Sequence, residues 1–279
     1  MRRPRKIAMA AVLLLSLTML TVRMSRMWGP LPRNPGAETS KPLEGTPNEP
    51  ARYRSVEVVE VVDGDTIVID GGVHVRYIGI DTPEKGEPFF VEARRENRRL
   101  LALGDVSIQG CPERPLDKFG RTRAFVRAGG KLVNAELVGR GLARTLFMSG
   151  CADGVAADFV LREIEAWRDR LGIWSGADLE PIDHTETGAH IGALRAVTGR
   201  VLEVSPGRKV TFINFSEDYR NDFTAVVFPR GMARFKARGI DPGSTYTGRR
   251  VRVTGRIGLH NGPQIIVETP EQISFAVAH

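Results

Sequence analysis

Between Val56 and Ile80 three β-branched runs are separated by two tight turns, and a segment of that kind commits its chain to a sheet. Val56 to Val62 and Thr66 to Asp70 flank Asp63-Gly64-Asp65, which predicts strand, turn, strand. Asp70-Gly71-Gly72 is the second turn, and Val73 to Ile80 the third strand. Phe89 to Leu103 has helical spacing with a charged outer face. Val106 to Gln109 and Thr122 to Ala128 are two more predicted strands. Leu132 to Gly141 and Val155 to Leu171 are predicted helices, the latter with Phe159, Ile164 and Trp167 on one side. Five strands with a few helices predict a mainly β chain with α: a small Greek-key barrel carrying packed helices. An apolar content of 42% with 26% charged residues excludes wholesale disorder, and two cysteines exclude a disulfide-dense scaffold or a four-cysteine zinc site.

Charge is segregated along the 279 residues. Of the formal +7, residues 1–40 carry +6, residues 41–189 carry −5 and residues 190–279 carry +6. The basic total therefore says nothing about the middle, and only the tail keeps an excess that would draw in a polyanion.

Arg2, Arg3, Arg5 and Lys6 precede a mainly apolar run from Ile7 to Val22 that no charge interrupts, the layout of an export signal. The run is slightly shorter than the ~20 residues of a comfortable membrane span, which Arg23 and Arg26 can extend by snorkelling. No small-x-small cleavage site follows closely, so residues 1–28 are expected to be an uncleaved signal anchor rather than a cleaved peptide. The charges ahead of the run favour a cytoplasmic N-terminus, with the folded part outside the cytoplasm, in the periplasm or at the cell surface. Residues 29–51, with Pro30, Pro32, Pro35, Pro42, Pro47 and Pro50, are expected to be a stiff linker.

Chemistry concentrates at the strand ends. Asp65 follows a turn, Arg76 lies on the third strand, and Asp81-Thr82-Pro83-Glu84 comes directly after it. Pro83 keeps that stretch extended. Three carboxylates from separate turns can converge on one hard cation, which takes oxygen ligands. Arg121 follows Asp117-Lys118-Phe119-Gly120. A cation and two guanidinium groups suit a phosphodiester, because both neutralise charge growing on phosphoryl oxygens. Taken singly, each of these is an ordinary turn, surface pair or loop; their order and spacing carry the signal.

That order resembles the staphylococcal nuclease (thermonuclease) family over about 120 residues. The matching stretches are Val62-Asp63-Gly64-Asp65-Thr66, Arg76-Tyr77-Ile78-Gly79-Ile80-Asp81-Thr82-Pro83-Glu84, Asp117-Lys118-Phe119-Gly120-Arg121, Val133-Asn134 with Gly141-Leu142-Ala143, and Gly172-Ile173-Trp174-Ser175. The resemblance implies an OB-fold barrel with three helices over residues 52–176. It also implies calcium-dependent hydrolysis of DNA and RNA at the P–O5′ bond, leaving 3′-phosphate ends. By it, Asp65 and Asp81 bind Ca2+ through carboxylates and Thr82 through its carbonyl. Glu84 positions or deprotonates water, Arg76 and Arg121 grip the phosphate, and Lys118, Phe119 and Phe147 contact the nucleotide. The chain departs from the family in carrying Phe119, Phe147 and Ser149 where tyrosines are frequent, and in a shorter loop from Glu84 to the first helix. In the family fold the loops bearing Cys111 and Cys151 lie side by side, which makes a disulfide plausible in an oxidising compartment; the alternative is two free, half-buried thiols.

Residues 177–189 are expected to link this part to a second domain at 190–279. There, Ala196 to Val204 and Lys209 to Phe215 are predicted strands around Pro206-Gly207, and Phe223 to Phe228 a third. Met232 to Gly239 is a predicted helix, and Arg249 to Ile257 and Pro263 to Thr269 two last strands. Three strands, a helix and two strands is OB-fold order, and the segment loosely resembles small bacterial OB-fold domains. Phe212, Phe215, Tyr219, Arg249, Arg250 and Arg252 are candidates for a single-strand groove. A purely structural or partner-docking role for this domain is the alternative. The rival to the enzyme as a whole is a non-catalytic nucleic-acid-binding module, yet no carboxylate or arginine of the pattern is missing.

Overall fold

The computed structural model describes residues 53–146, 151–152, 154–218 and 222–276. The expected signal anchor and linker, Phe147, Ser149 and Tyr219 lie outside them. Among the described residues no helix is long and apolar enough to cross a membrane.

The β-branched runs form the predicted strands. β1 (Arg54–Ser55) and β2 (Val58–Val61) lead into β3 (Thr66–Ile69) and β4 (Val73–Tyr77), and the short β5 (Ile80–Asp81) follows. Gly71 and Gly72 have φ of 75° and 73°, so the turn before β4 needs residues without a Cβ. Helix α1 (Phe90–Leu101) precedes β6 (Val106–Gly110), β7 (Thr122–Ala128) and β8 (Lys131–Leu132). Helix α2 (Val133–Gly139), β9 (Arg144–Thr145) and helix α3 (Ala156–Arg168) complete this half. The sheet runs β1-β6-β7-β4-β3-β2, with β8 on β7 and with β4 parallel to β7.

The expected barrel is an open sheet in its hydrogen-bonded order. Its two edges, β1 and β2, are successive pieces of one extended segment. Val56 N–H donates to Val106 O, while Glu57 O accepts from Asp70 N–H, so one segment passes from the β6 partner to the β3 side within two residues. Ile67, Ile69, Val75, Ile108, Val126 and Leu137 fill the core beneath. Two buried amides fasten helices to it. Asn97 on α1 accepts from the Tyr77 hydroxyl at 2.9 Å and donates to Asp63 O at 3.0 Å. Asn134 on α2 accepts from Val126 N–H at 3.0 Å and donates to Ile78 O at 2.9 Å. Cys111 and Cys151 are disulfide-bonded with Cα atoms 5.6 Å apart, tying chain 40 residues apart; a loop of that length is worth about 3–4 kcal/mol in the chain-entropy account.

Residues 177–189, expected to be a linker, are structured. β10 (Ile182–Asp183) pairs parallel with β11 (Leu194–Arg200), and a 3-10 helix at His184–His190 is capped by Asp183. The sequence hid this because the strand is two residues long and the capping box carries no hydrophobic period.

The predicted strand over 196–204 is instead two: β11 and β12 (Glu203–Pro206). The chain changes partner between them, with Val201 N–H donating to Arg249 O and Leu202 N–H to Asn214 O. β13 (Thr211–Asn214), β14 (Thr224–Val227), helix α4 (Pro229–Ala237), helix α5 (Pro242–Tyr246), β15 (Arg250–Leu259), β16 (Pro263–Ile266) and β17 (Ile273–Phe275) follow. Helix α5 has no counterpart in the sequence reading: its Pro-Gly start carries breaker residues, and the Asp241 carboxylate caps it at Ser244 N–H. The second sheet runs β10-β11-β15-β16-β14-β13-β12, and β14 is parallel to β16. Segment for segment, this repeats the pairing of the first sheet: a divided first strand, two antiparallel neighbours, and a parallel contact between the third strand and the last. It too is open in its hydrogen-bonded order.

Each sheet has its own core. A third cluster joins Ile164, Trp167 and Trp174 to Leu194 and Ala196 on β11.

Candidate active site

The site is built where the turn before β3 meets the end of β5. The Asp63 carboxylate accepts from Asp65 N–H at 2.9 Å, which folds the turn and turns Asp65 inward. Asp65 is buried. Its Oδ2 accepts from Thr82 N–H at 2.8 Å and from the Thr82 hydroxyl at 3.0 Å. Its Oδ1 takes the Thr66 hydroxyl at 3.2 Å and pairs with Arg76 Nε at 3.1 Å. Burial pushes the Asp65 carboxyl up to about 6; Arg76 and the Thr82 donors oppose the rise, and the Asp63 charge adds to it.

Arg76 is the organiser. Its Nη2 holds Asp81 Oδ1 at 2.7 Å, and its Nη1 donates to Tyr77 O at 2.9 Å and Ile80 O at 2.8 Å. One guanidinium thus bridges Asp65 and Asp81, the two carboxylates expected to hold a cation. Asp81 is half-exposed. Glu84 does not join them as a third converging carboxylate. It is exposed and opens a turn in which the Glu87 N–H donates to Glu84 O at 2.9 Å and the Glu87 carboxylate accepts from Glu84 N–H at 2.8 Å. Among the described residues no three His, Cys, Asp or Glu side chains are gathered into a metal site. The oxygen set on hand is two carboxylates with the Thr82 backbone, hard donors of the type calcium takes.

Gly64 is there for space rather than for φ. A Cβ on it would lie 2.7 Å from both Cβ and Oγ1 of Thr82. Gly64→Ala should therefore cost about 1–3 kcal/mol in urea unfolding, as overpacking does, by forcing Thr82 off Asp65. A variant as stable as the parent would show that the Thr82 loop moves freely.

Arg121 approaches from the turn just before β7. The Asp117 carboxylate accepts from Arg121 Nε at 2.7 Å and from the N–H groups of Phe119 and Arg121 at 2.9 and 3.0 Å. Against the cost of partial burial, these donors hold the Asp117 carboxyl below the usual range. Arg121 Nη1 lies 3.4 Å from the Thr66 hydroxyl, which itself donates to Asp65. Thr66 therefore joins the two halves of the site, a role the sequence did not disclose. Phe119 is exposed at 67%, with Lys118 Nζ 4.8 Å and Arg121 Cζ 5.3 Å from its ring centroid, so an exposed ring adjoins both cations. Arg123 also escaped the sequence reading. It is opposite Arg76 in register and is buried without an ion pair among the described residues. Strand alternation would have found it, since residues 121 and 123 share a face.

Arg76 thus joins two carboxylates, and Thr66 links them to Arg121, beside an OB-type sheet. Residues 74–176 match the family described as staphylococcal nuclease homologue. Endonuclease YncB of Bacillus subtilis (strain 168) is 34% identical over 142 residues, covering 47% of this chain and 67% of that one. Thermonuclease of Staphylococcus intermedius is 35% identical over 132 residues, 44% of this chain and 77% of that one. Micrococcal nuclease of Shigella flexneri is 35% identical over 131 residues, 43% and 72% respectively. The chain belongs to the staphylococcal nuclease family, and its nuclease part is an OB-fold.

Proposed function

We propose that the chain is a calcium-dependent nuclease that hydrolyses DNA and RNA at the P–O5′ bond, leaving 3′-phosphate ends. The observation that carries this is the Arg76 bridge between Asp65 and Asp81, with Arg121 reaching the same centre through Thr66. Asp65, Asp81 and the Thr82 carbonyl would hold Ca2+, which when bound neutralises charge on the phosphoryl oxygens. Arg76 and Arg121 grip the phosphate, and Arg121 stabilises the leaving 5′-oxygen. Glu84, exposed at the end of an extended stretch, orients the attacking water or takes its proton. Lys118 and Phe119 steady the nucleotide, with Phe147 as a third contact.

Purified protein should degrade both nucleic acids with calcium and stop with chelator. The ends should resist polymerase extension until treated with a phosphatase. Cleavage that persists in chelator, or ends extended without phosphatase, would defeat this reading. Because Asp65 titrates near 6, a proton competes with the cation below that pH. Calcium affinity should fall about tenfold per pH unit below 6 and level off above it, as measured by calorimetry. Constant affinity from pH 5 to 7 would remove Asp65 from the ligand set.

The basic, apolar leader supports export and tethering by residues 1–28. Fractionation of cells checks it: the activity should sediment with membranes and be released by detergent. The repeated strand pairing supports a second OB fold at 190–279.

A further inference from the structure

The outward face of β11 and β15 is divided. At one end Leu194 and Ala196, opposite Arg256 and Thr254, lie against the nuclease half. Further along the same face Thr198 stands opposite Arg252, and Arg200 opposite Arg250. Two arginines directly opposed on antiparallel strands repel, and a sheet normally avoids the pairing.

Among the described residues, two of these three arginines have no acidic partner. Arg200 and Arg252 make no ion pair among the described residues, and the Nε of Arg252 is buried without a hydrogen-bond partner. Arg250 reaches Asp183 Oδ2 at 3.8 Å, and the Oδ1 of that carboxylate caps the 3-10 helix. Arg249 lies over the ring of Phe275 at 5.3 Å, and since Phe275 pairs with Val251 these two belong to the opposite side of the sheet. Three guanidinium groups on one face supply the positive charge of a backbone-tracking surface. Phe215, named from sequence for such a groove, is buried in the core and takes no part.

We propose that Arg200, Arg250 and Arg252 bind the phosphodiester backbone of the substrate strand, as a second phosphate-binding surface apart from the cleavage site. The identity of the polyanion rests on the nuclease reading above. Such a surface holds a long strand while one bond is cut, so it affects binding of polymers and not the chemical step.

The test compares the full chain with R200Q/R250Q/R252Q. Binding of a fluorescent single-stranded oligonucleotide is followed in chelator across salt concentrations. The variant should bind at least tenfold more weakly near ~0.1 M salt. Its log–log salt slope should be smaller by about 2, the change expected when three arginines no longer neutralise phosphates of a single strand. Its kcat on a dinucleotide should equal the parent's, and its Tm should be equal or higher once the Arg200–Arg250 repulsion is gone. Equal affinity and slope would overturn the proposal. So would unchanged oligonucleotide binding with lost binding to phosphatidylglycerol vesicles, which would assign the face to a membrane. If the parent fails to cleave the dinucleotide, the nuclease reading falls, while the slope comparison still decides the arginine face.

Discussion

Arg121→Ala should lower turnover roughly 10³-fold with the fold intact, the scale set by removing a placed donor from a charge that develops in a transition state. The structure says why the loss should be catalytic rather than structural. Arg121 is tied to the turn that bears it by Asp117, and among the described residues its only other side-chain hydrogen bond is to the Thr66 hydroxyl at 3.4 Å. Its removal leaves Asp117 still accepting two backbone N–H groups. Arg76 would behave differently, because its guanidinium also bridges Asp65 and Asp81 and binds two carbonyls; an Arg76 variant should lose both activity and stability. Single-turnover kinetics beside urea unfolding separate the two. An Arg121→Ala enzyme within tenfold of the parent would remove that residue from the chemistry.

The second large effect is expected at a buried carboxylate on α3. Glu163 on α3 is buried and accepts from Thr145 N–H at 2.9 Å and from its hydroxyl at 2.6 Å. Its cation comes from the tail, where Arg256 Nη2 lies 2.7 Å away. Arg256→Met should therefore cost about 3 kcal/mol, since it strands a buried charge. The effect should reach the site, because β9 pairs with β5 in the register Asp81↔Arg144 and Ile80↔Thr145. Combining Arg256→Met with Glu163→Gln removes the charge with its partner and should recover part of the stability. An unchanged urea midpoint for Arg256→Met would mean that the tail gives this carboxylate no support. The same geometry predicts that residues 53–176 alone are less stable than the whole chain, because Trp167 and Trp174 lose Leu194 and Ala196.

Much of the site was legible because its signals are local. Turn residues, β-branched runs and a proline place Asp65, Arg76, Asp81, Thr82 and Glu84 on known stretches of backbone, and the spacing of the arginines completes the pattern. The partners of those residues were not legible. Thr66 is an ordinary strand threonine until β3, β4 and β7 are assembled, and then it touches both Asp65 and Arg121. Glu84 is close to Asp81 in the chain, but spacing along the chain does not show that it is exposed and opens a turn closed by Glu87. The buried amides Asn97 and Asn134 were invisible for a related reason. Each serves carbonyl or hydroxyl groups at least 20 residues from it or across a strand.

The tail shows the same division. Its strands were found from hydrophobic alternation, but the break at Val201–Leu202 was not, because the change of partner is a property of the assembled sheet. The basic excess of residues 190–279 was countable, whereas its placement was not. Alternation put Arg250 and Arg252 on one face; only strand pairing put Arg200 opposite Arg250. By itself the sequence determined the order of elements, the family and the candidate ligands of cation and phosphate, since these depend on residues near one another along the chain. The tertiary structure decided which carboxylates share an arginine, which threonine touches both Asp65 and Arg121, and which tail arginine neutralises Glu163. Those are distances between segments up to 93 residues apart, and they exist only when both sheets are packed.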